Sequence, residues 1–206
     1  MKSTHAMGIL AKLLYERYLA GKYPLTLVSM DNVSHNGDLL REAVLAYAKE
    51  WTTRGFMEEG FLEYVANGEL VSYPWSMIDK ITPVADDSIA EMLEDLGYAD
   101  ARGVEWEGSV QAPSFANAEE TEYLVIEDNF KNGRPKWEHG GVIFTDRETV
   151  DRVETMKVTT CLNPLHTALA VYGCLLDYNY IHEEMKDENL LNLIKGVGYV
   201  EGLPVV

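Results

Sequence analysis

Within the stretch Lys157-Val-Thr-Thr-Cys-Leu-Asn163-Pro164-Leu-His166 stand an amine, a carboxamide and an imidazole. A lysine works as a base near neutral pH only when burial or a positive field lowers its pKa. Asn163 and His166 can donate hydrogen bonds to an oxygen on which negative charge develops. Such a set suits removal of a hydroxyl proton while hydride leaves the carbon that bears it. The same residues also read as an ordinary helix start, a packed histidine and a solvated lysine. Spacing alone does not choose between the two readings.

The elements around these residues decide whether they can meet. From Thr149 to Cys161 the apolar residues Val150, Val153, Met156 and Cys161 follow a helical stripe. Asn163-Pro164 interrupts it, because a residue before proline is pushed out of the α region and proline favours the first helical position. The pattern predicts Asn163 as N-cap, Pro164 as first residue and His166 in the first turn of a helix running to about Glu184. Lys157 then ends the preceding helix, and the three groups face one another across a tight corner. The second helix's N-terminus would hold the lysine pKa down and disfavour protonation of His166.

Earlier in the chain, residues 4–20 predict an amphipathic helix through Met7, Leu10, Leu13, Leu14, Tyr18 and Leu19. Leu25 to Met30 is an almost continuous apolar run of the kind buried in a parallel sheet. A polar loop, Asp31 to Asp38, leads into a helix over Leu39–Arg54. In open α/β sheets ligands bind at such a carboxyl edge, although an Asn- and Gly-rich turn with Asn36 as a helix cap explains the same residues. Phe56–Val71 reads as a short helix and loop, and Tyr73–Pro83 as a strand or loop bounded by prolines. There Asp79, between Ile78 and Lys80, either binds a hydroxyl or pairs with Lys80. Residues 86–97 predict an acidic, solvated helix. Val110–Phe144 is β-rich, with strands at Tyr123–Ile126 and Val142–Phe144 and a long polar loop over 127–138. After a final helix, about Glu188–Ile194, Gly196-Val-Gly198 lacks the third glycine of a dinucleotide fingerprint, and no phosphate-cradling loop is found.

The 206 residues carry 17 basic and 34 acidic side chains, a net charge of −17. That excess argues against nucleic acid or an anionic membrane as partner, since phosphate binding needs clustered Lys and Arg. Cys161 and Cys174 suit a reducing compartment, and the scattered histidines form no zinc pattern. With no signal peptide and no membrane-length apolar run, the cytoplasm is the expected location.

Four segments, in order, resemble the polyol-specific long-chain dehydrogenases, the family of mannitol 2-dehydrogenase and mannonate oxidoreductase (fructuronate reductase). They are Ser29-Met-Asp31-Asn32 with Asn36-Gly37; Ser76-Met-Ile78-Asp79 leading to Ile81-Thr82-Pro83; Val125-Ile-Glu127-Asp128 through Gly133-Arg134-Pro135 to Trp137-Glu138; and Lys157 to His166. The resemblance implies NAD-dependent, metal-free interconversion of a sugar alcohol or hexonate and its keto form, with D-mannonate and D-fructuronate first and D-mannitol and D-fructose second. It implies Lys157 as general base, Asn163 and Asn32 stabilising the alkoxide, and His166 orienting the substrate. Asp79 would lie at the cofactor–substrate junction, Ile78 against the nicotinamide ribose, Asn36 among the binding residues, and Glu154 as proton relay. Three departures stand out: a Lys-to-Asn interval one residue longer than usual, Lys80 for arginine, and Asn163-Pro164 for Asn-Gly.

The implied architecture is α/β plus all-α. Residues 1–147 would form the C-terminal part of a Rossmann-type nucleotide-binding domain with a β-rich insertion, and 148–206 the start of a helical substrate domain. The chain then reads as the middle of a longer enzyme, inactive and a poor NAD binder by itself. The alternative is a non-catalytic acidic interaction or carbohydrate-binding domain using the 127–138 loop and an exposed Trp137.

Overall fold

The computed structural model describes the chain except residues 1–3, 79–81, 83–84, 103, 107–108, 113, 119 and 121–122. Two compact units emerge, one of residues 1–78 and 124–206, the other of residues 79–123. Among the described residues no helix is long and apolar enough to cross a membrane.

In the larger unit, α1 (Ala6–Leu19) starts where the His5 side chain accepts the Met7 N–H. Strand β1 (Leu25–Thr26) follows, then α2 (Asn36–Thr53), α3 (Glu59–Ala66), β2 (Val71–Ser72) and β3 (Ser76–Met77). The expected helices over 4–20 and 39–54 are present, α2 beginning three residues earlier than its apolar pattern suggested. Leu14 and Tyr18 of α1, Val44, Ala48 and Trp51 of α2, and Phe61, Tyr64 and Val65 of α3 are buried together with Val71 and Tyr73. Phe61 meets the Tyr15 and Tyr18 rings edge-on at 5.2 and 5.9 Å. Such offset aromatic contacts add to what burial alone provides.

One extended stretch, 71–77, organises the sheet. At its start β2 runs parallel to β1, pairing Leu25 with Val71; at its end β3 runs antiparallel to β6 (Leu124–Glu127), pairing Met77 with Val125. Strand β7 (Val142–Thr145) lies parallel to β6. The predicted strands near 123–126 and 142–144 are these two. Between them Arg134 holds Asp128 and Glu138 at 2.9 and 2.7 Å and lies 3.5 Å over the Phe144 ring. Its hydrogen bonds hold the Asp128 carboxyl below the usual carboxylate range. A carboxyl lowered by folding stabilises above its unfolded pKa, and that contribution fades as pH falls through the lower folded value. Asp128→Asn is therefore expected to lower stability at pH 7, where the carboxylate contributes in full, and to flatten the acid limb of a stability-against-pH curve, the two proteins converging below about pH 4; an unchanged acid limb would contradict this.

The chain then enters α5 (Arg147–Glu154), capped by Asp146 accepting the Thr149 N–H. A π-helical segment, Thr155–Leu162, continues it directly into α6 (Asn163–Leu175). Helices α7 (Ile181–Glu184) and α8 (Glu188–Lys195) follow, with a second π-helical segment at Gly196–Gly202. Leu169, Leu190 and Ile194 form a small core of their own. Gly173 lets the Glu184 carboxylate lie against the helix, and a Cβ there would force that side chain to move.

This path corrects the predicted corner. Asn163 is no N-cap: its φ of −63° and ψ of −45° are helical, and its N–H donates to Val158 five residues back. Pro164 sits inside a continuous helix from 147 to 175. A proline normally loses one α-type bond and clashes with the carbonyl four residues earlier. A helix already wound in the wider i→i+5 pattern relaxes both demands. The helix expected to run to Glu184 stops at Leu175, and Asp177 turns the chain at a φ of 62°.

The smaller unit contains α4 (Asp87–Asp95), capped by Asp86, and an antiparallel pair, β4 (Val104–Trp106) with β5 (Ser109–Ala112). Arg102 bridges to Glu94 and Glu91 on the acidic helix at 3.1 and 3.4 Å.

Candidate functional site

Lys157, Asn163 and His166 belong to one unbroken helix. With no second helix start at Asn163, the positive helix end expected to act on Lys157 and His166 is absent from that position. Lys157 is half-buried, whereas Asn163 and His166 are exposed. Glu154, three residues before Lys157, is 9% exposed.

The β1–α2 loop carries Asn32, which is exposed, and ends in His35 at a φ of 54°. Asn36 opens α2. It is 1% exposed, and its Nδ2 donates to the Ser29, Asp31 and Ser76 carbonyls and to Ser76 Oγ at 2.9–3.3 Å. Its Oδ1 accepts the Ser76 N–H at 3.1 Å. With both ends of the amide used, Asn36 clamps the run after β1 to β3. Gly37 serves the same junction, since a Cβ there would come within 2.5 Å of the Tyr73 carbonyl oxygen. Ile78, just past β3, is half-buried. Asp79 lies outside the described residues.

A cluster that sequence reasoning missed connects this loop to the helix of Lys157. His35 stacks on Trp75 at 4.0 Å and bonds Asp151 of α5 through Nε2 at 2.8 Å. Arg147 crosses the Trp75 ring at 4.7 Å and binds Glu127 at 3.0 Å and Asp38 at 3.5 Å. Glu127 also accepts the Trp75 N–H at 3.1 Å. Four elements meet here, so the end of the β1–α2 loop and the start of α5 are both tied to Trp75 in the 71–77 stretch. The sequence held one clue, an aromatic residue between Pro74 and Ser76; the partners from α5 lie more than 70 residues away.

A cavity of about 580 Å³ adjoins the loop, lined mainly by apolar residues of α1, α2 and the run after β1, with Ser29, Asp31 and Asn36 as polar members. Trp137, the anchor of the rival binding reading, packs edge-on against Phe130 at 6.1 Å and parallel to Phe144 at 6.3 Å. It is one wall of an aromatic cluster.

Comparison with known proteins bears on these observations. A sequence model of the mannitol dehydrogenase Rossmann domain matches residues 2–139. The chain is 49% identical over 203 residues to D-mannonate oxidoreductase of Thermotoga maritima, covering 98% of this chain and 37% of that protein. Its fold matches mannitol 2-dehydrogenase of Pseudomonas fluorescens, solved as a ternary complex with NAD and D-mannitol, with a TM-score of 0.74 and 32% identity over 98% of this chain and 36% of that one. A substrate-free D-sorbitol dehydrogenase matches with a TM-score of 0.78 and 26% identity, over 100% of this chain and 38% of that one. The chain thus spans little more than a third of the length of these relatives.

Proposed function

The chain belongs to the mannitol dehydrogenase family, and from that membership we propose that the protein interconverts a sugar alcohol or hexonate and its keto form with NAD. D-mannonate and D-fructuronate are the favoured pair, D-mannitol and D-fructose the second. The observation that carries this reading is the 49% identity to a D-mannonate oxidoreductase, sustained over 98% of the chain.

The described residues fit one end of the cofactor. Half-buried Ile78, at the exit of β3, and the polar loop leaving the parallel strand β1 would flank its nicotinamide end. Gly196 and Gly198 lie in a π-helical segment, a poor cradle for the phosphates. NAD, when bound, supplies the hydride-accepting ring.

This chain's residues supply the proton chemistry. Lys157 Nζ takes the proton from the hydroxyl oxygen on the carbon that loses hydride. The carboxamide N–H groups of Asn163 and Asn32 donate to the oxygen as its charge grows, which favours the transition state over the bound alcohol. His166 orients the substrate hydroxyls, and Glu154 passes the proton from Lys157 towards solvent. The reverse reaction uses the same groups, with Lys157 as the acid.

The test is NAD reduction by the intact protein with D-mannonate, D-mannitol and D-altronate. Turnover is expected on at least one, and fastest on mannonate. NAD-linked turnover on none of the three would overturn the reading, and mannitol outpacing mannonate would reverse the order of substrates.

A further inference from the structure

The π-helical segment Thr155–Leu162 has a consequence for the residues on either side of it. In an α-helix each residue turns by about 100°, so the nine steps from Lys157 to His166 would place them on opposite sides. A π-helix holds about 4.4 residues per turn, or roughly 80° each. With that winding up to Asn163, the angle between Lys157 and His166 shrinks to roughly 70°, and Asn163 stands about 130° from Lys157.

We infer that this segment is a register device: it absorbs one residue so that Lys157, Asn163 and His166 present their side chains to one side of a single helix. The inference rests on the proposed roles of those three residues. An independent contact pattern supports the winding. Gly202 comes close to Thr160, where a Cβ would lie 3.3 Å from Thr160 Cγ2, and a Cβ on Gly198 would lie 3.4 Å from Leu165. Thr160 and Leu165 therefore face the same partner segment. Wound as here they stand about 90° apart, against about 140° in an α-helix. On this winding the amine, carboxamide and imidazole span about 130° of the helix circumference, and the contacts with Gly196–Gly202 begin about 30° beyond Lys157 on the side away from His166 and Asn163. The Asn163 N–H bond to Val158 and the helical position of Pro164 follow from the same wide turn.

The device makes an unusual demand: removal of one residue from the π segment should be tolerated, since an α-helix of one residue fewer connects the same two ends. Thr159 is exposed, so its deletion loses no packed side chain. Deletion of Thr167, exposed but inside α6, instead rotates everything after it by about 100° and pulls Leu169 and Gly173 away from Leu190 and Glu184. In the intact protein the Thr159 deletion is expected to keep kcat within about tenfold and Tm within about 5 °C of the parent, while the Thr167 deletion loses both. Unfolding of the Thr159 variant, or a larger loss of kcat in a folded one, would overturn the inference. Equal tolerance of both deletions would do the same, because register along this helix would then not matter. Should the parent itself lack NAD-linked turnover, the functional reading fails, and the two melting temperatures still judge the helix.

Discussion

Lys157→Ala in the intact protein is expected to lower kcat for polyol or hexonate oxidation by about a thousandfold or more, with NAD affinity nearly unchanged. A positioned general base contributes about 10²–10⁴ to a proton transfer, and no second amine stands on this stretch of helix. Lys12, Lys22 and Lys49 belong to α1, its following turn and α2, and Lys195 ends α8. The substitution removes a half-buried amine from a solvent-lapped turn, so folding should be little affected. The measurement pairs steady-state kinetics with cofactor titration. A drop in kcat of less than tenfold would remove Lys157 from the base role, and a parallel collapse of NAD binding would recast it as a cofactor ligand. Glu154 offers a finer distinction: as a relay, its loss should slow proton exchange with solvent and shift the pH profile of kcat while leaving KM in place.

The second large effect falls on stability. Asn36→Ala is expected to cost about 2–4 kcal/mol, because it strips the partner from the buried Ser76 N–H and the Nδ2 donor from the Ser76 carbonyl, whereas the Ser29 and Asp31 carbonyls keep Ser76 Oγ and the Val33 N–H as donors. Each such orphaned group costs about 1–3 kcal/mol when water cannot reach it. Asn36→Asp should be nearly as harmful despite its matching shape. It replaces the donating Nδ2 with an oxygen facing four acceptors, so the clamp turns into repulsion. Urea unfolding of both variants is the check. A loss below about 1 kcal/mol in either would mean that water reaches the junction and restores the bonds.

Periodicity carried far in this chain, and its failures have local causes. The helices ending near Leu19 and Thr53 were legible because stripes such as Leu10, Leu14 and Tyr18 recur at helical spacing and stop at Gly21 or Gly55. Their inner faces were less so: Leu13 and Leu19 fit the stripe yet are 62% and 51% exposed. Asn163-Pro164 misled because the rules for proline describe i→i+4 helices, and single residues do not announce an i→i+5 ladder. The structural part played by Asn36 was hidden for a different reason. Its position beside a strand end suggested binding, and no short window shows that Ser76, forty residues on, engages the amide. The β4–β5 pair went unseen inside a segment whose apolar alternation is weak. At the candidate site, the identities of Lys157, Asn163, His166 and Asn32 came from motif order. What braces them, His35 on Trp75 with Asp151 and Arg147 from α5, is a tertiary arrangement that no short window contains.

The antiparallel pairing of β3 with β6 gives this protein a seam open to revision. Met77 and Val125 lie side by side, so the chain leaves and rejoins the sheet through neighbouring doorways. Segments joined at two adjacent chain ends accept insertions and exchanges at small entropic expense. Descendants of this chain can therefore lengthen, shorten or replace that excursion without redrawing the sheet, and graftable modules could be spliced at the same place.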